Sequence, residues 1–150
     1  MIFTDIVPEL LSLFLVSFLA ATLLPLGSEL LLLGVVNQHP EFTWHAWCSA
    51  TLGNTLGGMT NWWLGSYLLH FQDHRWFPVS ASRLAQVQKI FHRYGQPILL
   101  LSWMPLIGDG LCLAAGVAKL HWFKSLIWIA VGKSMRYGAL IWGTNALVLS

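Results

Sequence analysis

Long apolar runs, two of them broken in a similar way, set the pattern of this chain. Four apolar blocks follow one another: Glu9 to Val36, Phe42 to Phe71, Gln96 to Ala118 and His121 to Ser150. A polar stretch from Gln72 to Gly95 separates the second from the third. A membrane-spanning helix needs about 20 apolar residues, and the second and fourth blocks are long enough to span directly. The first and third are interrupted. Leu10 to Leu24 is a 15-residue run, after which come Pro25, Gly27, Ser28 and Glu29, and Leu30 to Val36 adds only seven residues. In the third block the interruption is Pro105, Gly108, Asp109 and Gly110. Proline removes a backbone donor and clashes with the preceding turn, so a helix breaks there. Broken backbone at membrane depth is tolerated only where protein or a polar cavity covers it. The pattern therefore predicts an all-α integral membrane fold in which blocks one and three are re-entrant helical hairpins.

The two interruptions are also alike in sequence. Pro25-Leu26-Gly27-Ser28-Glu29 and Pro105-Leu106-Ile107-Gly108-Asp109 both read Pro-Leu-x-x-acid, and Pro105 stands 80 residues after Pro25. Gly132 follows Gly53, and Trp142 follows Trp63, each by 79 residues. These matches predict two repeats in one membrane domain, 1–150, each repeat a hairpin plus one transmembrane helix. Repeat 1 covers about 9–71, an amphipathic linker 72–95, and repeat 2 about 96–149. An odd number of crossings inverts the second copy. Inverted repeats whose broken helices meet near the midplane are a transporter architecture, with the binding site at the breaks. Chance similarity between Gly- and Pro-rich apolar segments is the competing explanation.

Composition agrees with a membrane location. Hydrophobic residues make up 56% of the 150 and charged residues only 9%, against about 25% charged in ordinary soluble domains. The net charge of +2 argues against nucleic acid as a partner. Trp44, Trp47, Trp62, Trp63 and Trp122 sit toward the ends of apolar stretches, as in interfacial aromatic belts. The first residues carry Asp5 and Glu9 and no Lys or Arg, which is unlike a secretory signal peptide. Cys48 and Cys112 lie inside apolar blocks and suggest neither a disulfide framework nor a zinc site. His70 and His74 are one helical turn apart but lack further ligands, so no metal and no cofactor is expected. The sequence contains no Gly-x-Ser-x-Gly, His-Glu-x-x-His or Walker pattern, so an enzyme is not expected.

Charge placement fixes the expected topology. Away from membrane depth the cations are Arg75, Arg83, Lys89 and Arg93 in the 72–95 loop, and Lys119 and Lys124 around the next turn. If blocks one and three return to the side they entered, all six lie on one face of the membrane. The positive-inside rule then puts that face, and the 72–95 loop, in the cytoplasm. Within that loop Leu84, Val87, Phe91 and Tyr94 share a helical face, with Arg83, Lys89 and Arg93 around them. Such a helix lies in the interface and favours anionic headgroups, or else serves only to anchor the topology.

Four charged residues remain at membrane depth. Glu29 and Asp109 follow the two breaks. A carboxylate in hydrocarbon must be protonated, paired or turned to a polar cavity. Each could exchange a proton or merely cap the helix that begins there, and Ser28 is an equally good cap. Lys133 lies roughly 16 Å along the last helix from Trp122 at 1.5 Å per residue, and Arg136 lies one turn deeper on the same face. Their candidate partners are Glu29, Asp109 or a substrate phosphate, which arginine grips bidentately. Gly53, Gly57, Asn61 and Gly65 recur every four residues and predict close helix packing. Asn54 and Asn61 could hydrogen-bond the broken hairpins.

Taken together, these segments resemble the DedA superfamily of membrane proteins, and within it the short YqaA-like branch. The matching stretches are Leu23 to Glu29, Gly53 to Gly58 with Asn61, Arg93-Tyr94-Gly95, Ser102 to Asp109, Ala115-Gly116 and Gly132 to Tyr137. They run through nearly the whole chain. The resemblance implies paired re-entrant hairpins in the bacterial cytoplasmic membrane, and movement of a lipid, a polyprenyl-phosphate or a phospholipid, across it. It also implies reliance on intramembrane acidic and arginine residues, with proton coupling. Typical members carry arginines around the second proline. Ser102 to Gly108 has none, and Lys133 and Arg136 are the candidates to supply that charge.

The function expected is therefore a multi-pass lipid translocase with membrane lipid as substrate, in which Glu29, Asp109, Lys133 and Arg136 handle substrate and protons. A homo-oligomer is compatible with it. Two other readings stay open: a non-transporting scaffold or assembly factor with a structural ionic cluster, and an exporter of small solutes or ions.

Overall fold

The computed structural model describes residues 2–22, 27–71, 73–75, 80–105 and 107–148. Among them the chain is helical throughout and contains no strand. Six α-helices carry the fold: α1 (Ile2–Ala20), α2 (Gly27–Gln38), α3 (Thr43–Leu68), α4 (Ala81–Tyr94), α5 (Ile107–Val117) and α6 (Trp122–Val148). A 3₁₀ segment, Gln96–Trp103, lies between α4 and α5. The second and fourth apolar blocks thus become the two longest helices, with 26 residues in α3 and 27 in α6. Among the described residues, however, no helix is long and apolar enough to cross a membrane by its hydropathy. The reason is visible in the two long helices. Their length suffices, but Asn54, Thr55 and Asn61 in α3, and Lys133 and Arg136 in α6, dilute the apolar run.

The third block breaks where its proline predicts. Met104 is extended (φ −70°, ψ 130°), as expected for a residue whose helical conformation is blocked by the following proline ring. The arm before the break is not an α-helix. Eight residues of 3₁₀ helix follow Gly95, whose φ of 69° ends α4, and Pro97 removes an amide from the first turn. In the first block α1 ends at Ala20 and α2 begins at Gly27. Pro25, expected to be the break itself, lies outside the described residues. Gly27 and Ser28 fall in the first turn of α2, and Gly108 in the first turn of α5, rather than in the breaks.

By its internal contacts the chain divides into two compact units, Met1–Gly57 with Lys133–Ser150, and Gly58–Gly132. The division falls inside α3 and inside α6, so it does not follow the repeat boundaries expected above. In the first unit α1 and α2 pack as a pair. Ile6 and Leu13 of α1, Leu32, Val35 and Val36 of α2, Ala46 and Ala50 of α3, and Tyr137 and Ile141 of α6 form its core. In the second unit the 3₁₀ arm packs on α5. Leu99, Cys112, Ala115, Ile129 of α6 and Phe91 of α4 make the core there.

Glycines set how closely these elements approach. A Cβ on Gly53 would collide with the Phe14 carbonyl of α1, and one on Gly57 would stand 2.6 Å from the Phe18 oxygen. In the second unit a Cβ on Gly65 would meet the Leu113 carbonyl of α5, and one on Gly116 the Trp62 carbonyl of α3. Gly132 stands over Leu100, where an added Cβ would be 2.7 Å from its oxygen. Backbone meets backbone at each of these points, the use small residues serve between membrane helices. The stripe on α3 is therefore a packing device, serving α1 through Gly53 and Gly57 and α5 through Gly65. Asn61, on the same stripe, is half-buried.

Candidate functional site

The first turn of α2 and the middle of α6 form a buried polar site in the first unit. Helical periodicity places Lys133, Arg136 and Tyr137 on one face of α6, three and four residues apart. All three are buried: Lys133 and Tyr137 are 0% exposed and Arg136 7%. Glu29, in the first turn of α2, reaches this face. Its Oε1 accepts a hydrogen bond from Arg136 Nε at 2.9 Å and a second from one Nη of the same guanidinium. The pair is charge-assisted, the stronger class of hydrogen bond. Glu29 remains 21% exposed at its side chain, so one end of the pair is accessible while the guanidinium is enclosed.

Neighbouring bonds hold the pair in register. Ser28 Oγ and Tyr137 Oη are 2.9 Å apart, so consecutive residues of α2 bind consecutive residues of α6. Trp47 of α3 donates its indole N–H to the Ser134 carbonyl at 3.0 Å. The Arg136 guanidinium carbon lies 5.8 Å from the centroid of the Tyr137 ring. Asn54 donates to the Ser17 carbonyl of α1 at 3.0 Å. Ser17, Thr51, Asn54 and Thr55 are buried as well, which gives the unit a polar interior.

Of the four candidate residues, the structure brings Glu29 and Arg136 together and buries Lys133 one turn away on the same helix. Asp109 lies in the second unit, half-buried in the first turn of α5. The Ser28 hydroxyl, considered as a helix cap, is engaged with Tyr137 of α6. Tyr137 itself is the site residue that residue-by-residue reading passed over. Its signal was the spacing: it lies four residues after Lys133, hence on the same helical face.

A buried carboxylate–guanidinium pair within so apolar a chain is the arrangement on which comparison with known proteins bears. The VTT-domain profile matches residues 6–143. The chain belongs to the VTT-domain, or DedA, family. It is similar to the inner membrane protein YqaA of Escherichia coli (strain K12), with 40% identity over 132 residues that cover 88% of each chain. The Shigella flexneri protein of the same name matches equally. An uncharacterized protein of Haemophilus influenzae is 31% identical over 145 residues, 91% of this chain and 87% of that one. No solved structure matches.

Proposed function

We propose that this chain is a multi-pass protein of the bacterial inner membrane that moves an anionic lipid across the bilayer, with Glu29 and Arg136 at the centre of the mechanism. The observation that carries the proposal is the Glu29–Arg136 pair. Ionisable residues at membrane depth are costly and are usually kept for transport or proton relay. In this pair an enclosed guanidinium is neutralised by a carboxylate that is still accessible. Protonation of Glu29 removes its negative charge from the guanidinium and lets a lipid phosphate, to which the planar fork is suited, compete for that place. Release of the phosphate and loss of the proton restore the pair. Lys133 adds a second positive charge beside the phosphate, and Asp109 carries the corresponding proton step in the second half of the chain.

We further infer that the two halves are repeats with re-entrant hairpins, and that the 72–95 loop and the 119–124 turn are cytoplasmic. Three features support this. The Pro-Leu-x-x-acid motif occurs twice, and the acidic residue of each copy falls in the first turn of a helix, α2 or α5. Gly53 and Gly132, 79 residues apart, pack closely against α1 and against the 3₁₀ arm respectively. Relatives named as inner membrane proteins support the location.

The competing reading is a scaffold whose ion pair is only structural, and the Ser28–Tyr137 bond beside the pair favours it. Reconstitution into proteoliposomes with headgroup-labelled lipids separates the two. Translocation of a lipid with a phosphate headgroup at a rate above protein-free vesicles supports the transporter. Rates equal to protein-free vesicles for every headgroup tested support the scaffold.

A further inference from the structure

Helix α4 has two faces, and only one of them is used by the fold. Leu84 and Val87 are half-buried and Phe91 is buried; Val87 and Phe91 pack into the core of the second unit. The apolar stripe expected to lie in the bilayer interface is therefore turned onto the protein. At 100° per residue the opposite half of the helix carries Gln86, Lys89 and Arg93 with Ile90 at its boundary, Arg83 and Tyr94 flank the apolar stripe, and all six are exposed. The face is basic, and no Asp or Glu occurs between Asp73 and Asp109 in the sequence. Ile90 is 42% and Tyr94 59% exposed, so apolar groups stand among the cations. The Arg93 guanidinium carbon lies 5.4 Å from the centroid of the Tyr94 ring, which steadies one cation on an exposed aromatic. Ser80 caps the helix, accepting from the Arg83 amide.

We propose that this outer face of α4 is a docking surface for anionic phospholipid headgroups of the bilayer surface, separate from the Glu29–Arg136 site. Charge complementarity identifies the occupant. Cations close to an anionic leaflet gain about 1 kcal/mol each, and Lys89 and Arg93, one turn apart, can reach the same phosphate. Ile90 and Tyr94 suit the boundary between headgroups and acyl chains, where aromatic side chains are favoured. Because the stripe on the other side of the helix is held by the protein, the contact depends on headgroup charge more than on depth of insertion. Binding is thus selective for lipid class and weakened by salt.

The test uses the full-length protein purified in detergent, with phosphatidylglycerol, phosphatidylcholine and inorganic phosphate as probes. Lipid occupancy is read by native mass spectrometry and the response of the protein by its thermal midpoint. Phosphatidylglycerol is expected to bind and raise the midpoint, and phosphatidylcholine and phosphate to leave it unchanged. In the variant Lys89→Gln/Arg93→Gln, binding should weaken about thirtyfold for the loss of two surface cations. Both positions are exposed, so this variant is expected to fold. The variant Lys119→Gln/Lys124→Gln should bind like the parent. The proposal is overturned if the two lipids bind equally, if phosphate alone reproduces the shift, or if the second variant loses binding instead of the first. Since no transport is measured, the result stands whatever Glu29 and Arg136 do.

Discussion

Replacing single glycines by alanine offers a graded test of the packing, because the structure sorts them into two groups. Gly53, Gly65 and Gly116 each face a backbone carbonyl of a neighbouring helix, of Phe14, Leu113 and Trp62 respectively, close enough that one methyl group cannot be accommodated without moving backbone. Gly34, Gly110 and Gly143 have nothing within 4 Å of the position a Cβ would take. In the second group alanine should stabilise, since glycine in a helix interior costs up to about 1 kcal/mol relative to alanine. In the first group the same gain is opposed by overpacking, typically about 1–3 kcal/mol and more where backbone must shift. The gain is common to both, so the two groups should differ by the overpacking cost, about 1–3 kcal/mol. At roughly 2–4 °C per kcal/mol for a chain of this size, the gap is wide enough to read by tryptophan fluorescence during heating in detergent. The expected order is Gly143→Ala at or above the parent and Gly116→Ala well below it. Equal midpoints for the two would refute the close approach of α3 and α5.

Other outcomes follow from the same contacts. Arg136→Leu strands the Glu29 carboxylate and should cost about 3–5 kcal/mol. Glu29→Gln keeps an acceptor for the guanidinium and should cost only about 1–2 kcal/mol; equal losses in thermal unfolding would mean that the charge is unimportant to the contact. Tyr137→Phe leaves the Ser28 hydroxyl without its partner and should lower stability by about 1–3 kcal/mol, an effect that should largely vanish when Ser28→Ala is added. For topology, cysteines placed at Ser82 and Lys124 in a Cys48→Ser background should both react with an impermeant reagent from the cytoplasmic side; Cys48 is exposed and must be removed, whereas Cys112 is buried. Reaction from opposite sides would eliminate the re-entrant hairpin of block three.

Much of this could be read from the residues because the informative ones were exceptions in an apolar background. Pro105 marked a real break, and the spacing of Gly53, Gly57 and Gly65 marked the face on which α3 is approached. The cost of placing Glu29 and Arg136 among apolar residues was enough to suggest that they meet. Apolar positions were less informative. Where nearly every residue of a helix is hydrophobic, no stripe distinguishes the inward face, so the partners of Trp47 and Tyr137 needed the folded chain. The 3₁₀ form of Gln96–Trp103 was hidden for a similar reason: an apolar run reads alike at three or 3.6 residues per turn. On α4 Val87 and Phe91 of the expected stripe pack into the core and Leu84 is half-buried, whereas Tyr94, read onto the same stripe, is exposed; amphipathicity alone does not say whether the apolar side meets lipid or protein. Here it meets protein.

The proposed transport turns on the Glu29 carboxylate. The decisive measurement is the rate of lipid translocation in proteoliposomes as a function of pH, with headgroup-labelled substrate, for the parent protein and for Glu29→Gln. Glu29→Gln mimics the protonated carboxyl, so it should fold and reconstitute like the parent yet fail to complete the cycle, because it cannot release a proton to re-form the ion pair. The parent should transport with a rate that changes with pH, and Glu29→Gln should stay near the protein-free rate at every pH. Transport by stable Glu29→Gln at the parental rate and with the parental pH dependence would contradict the mechanism.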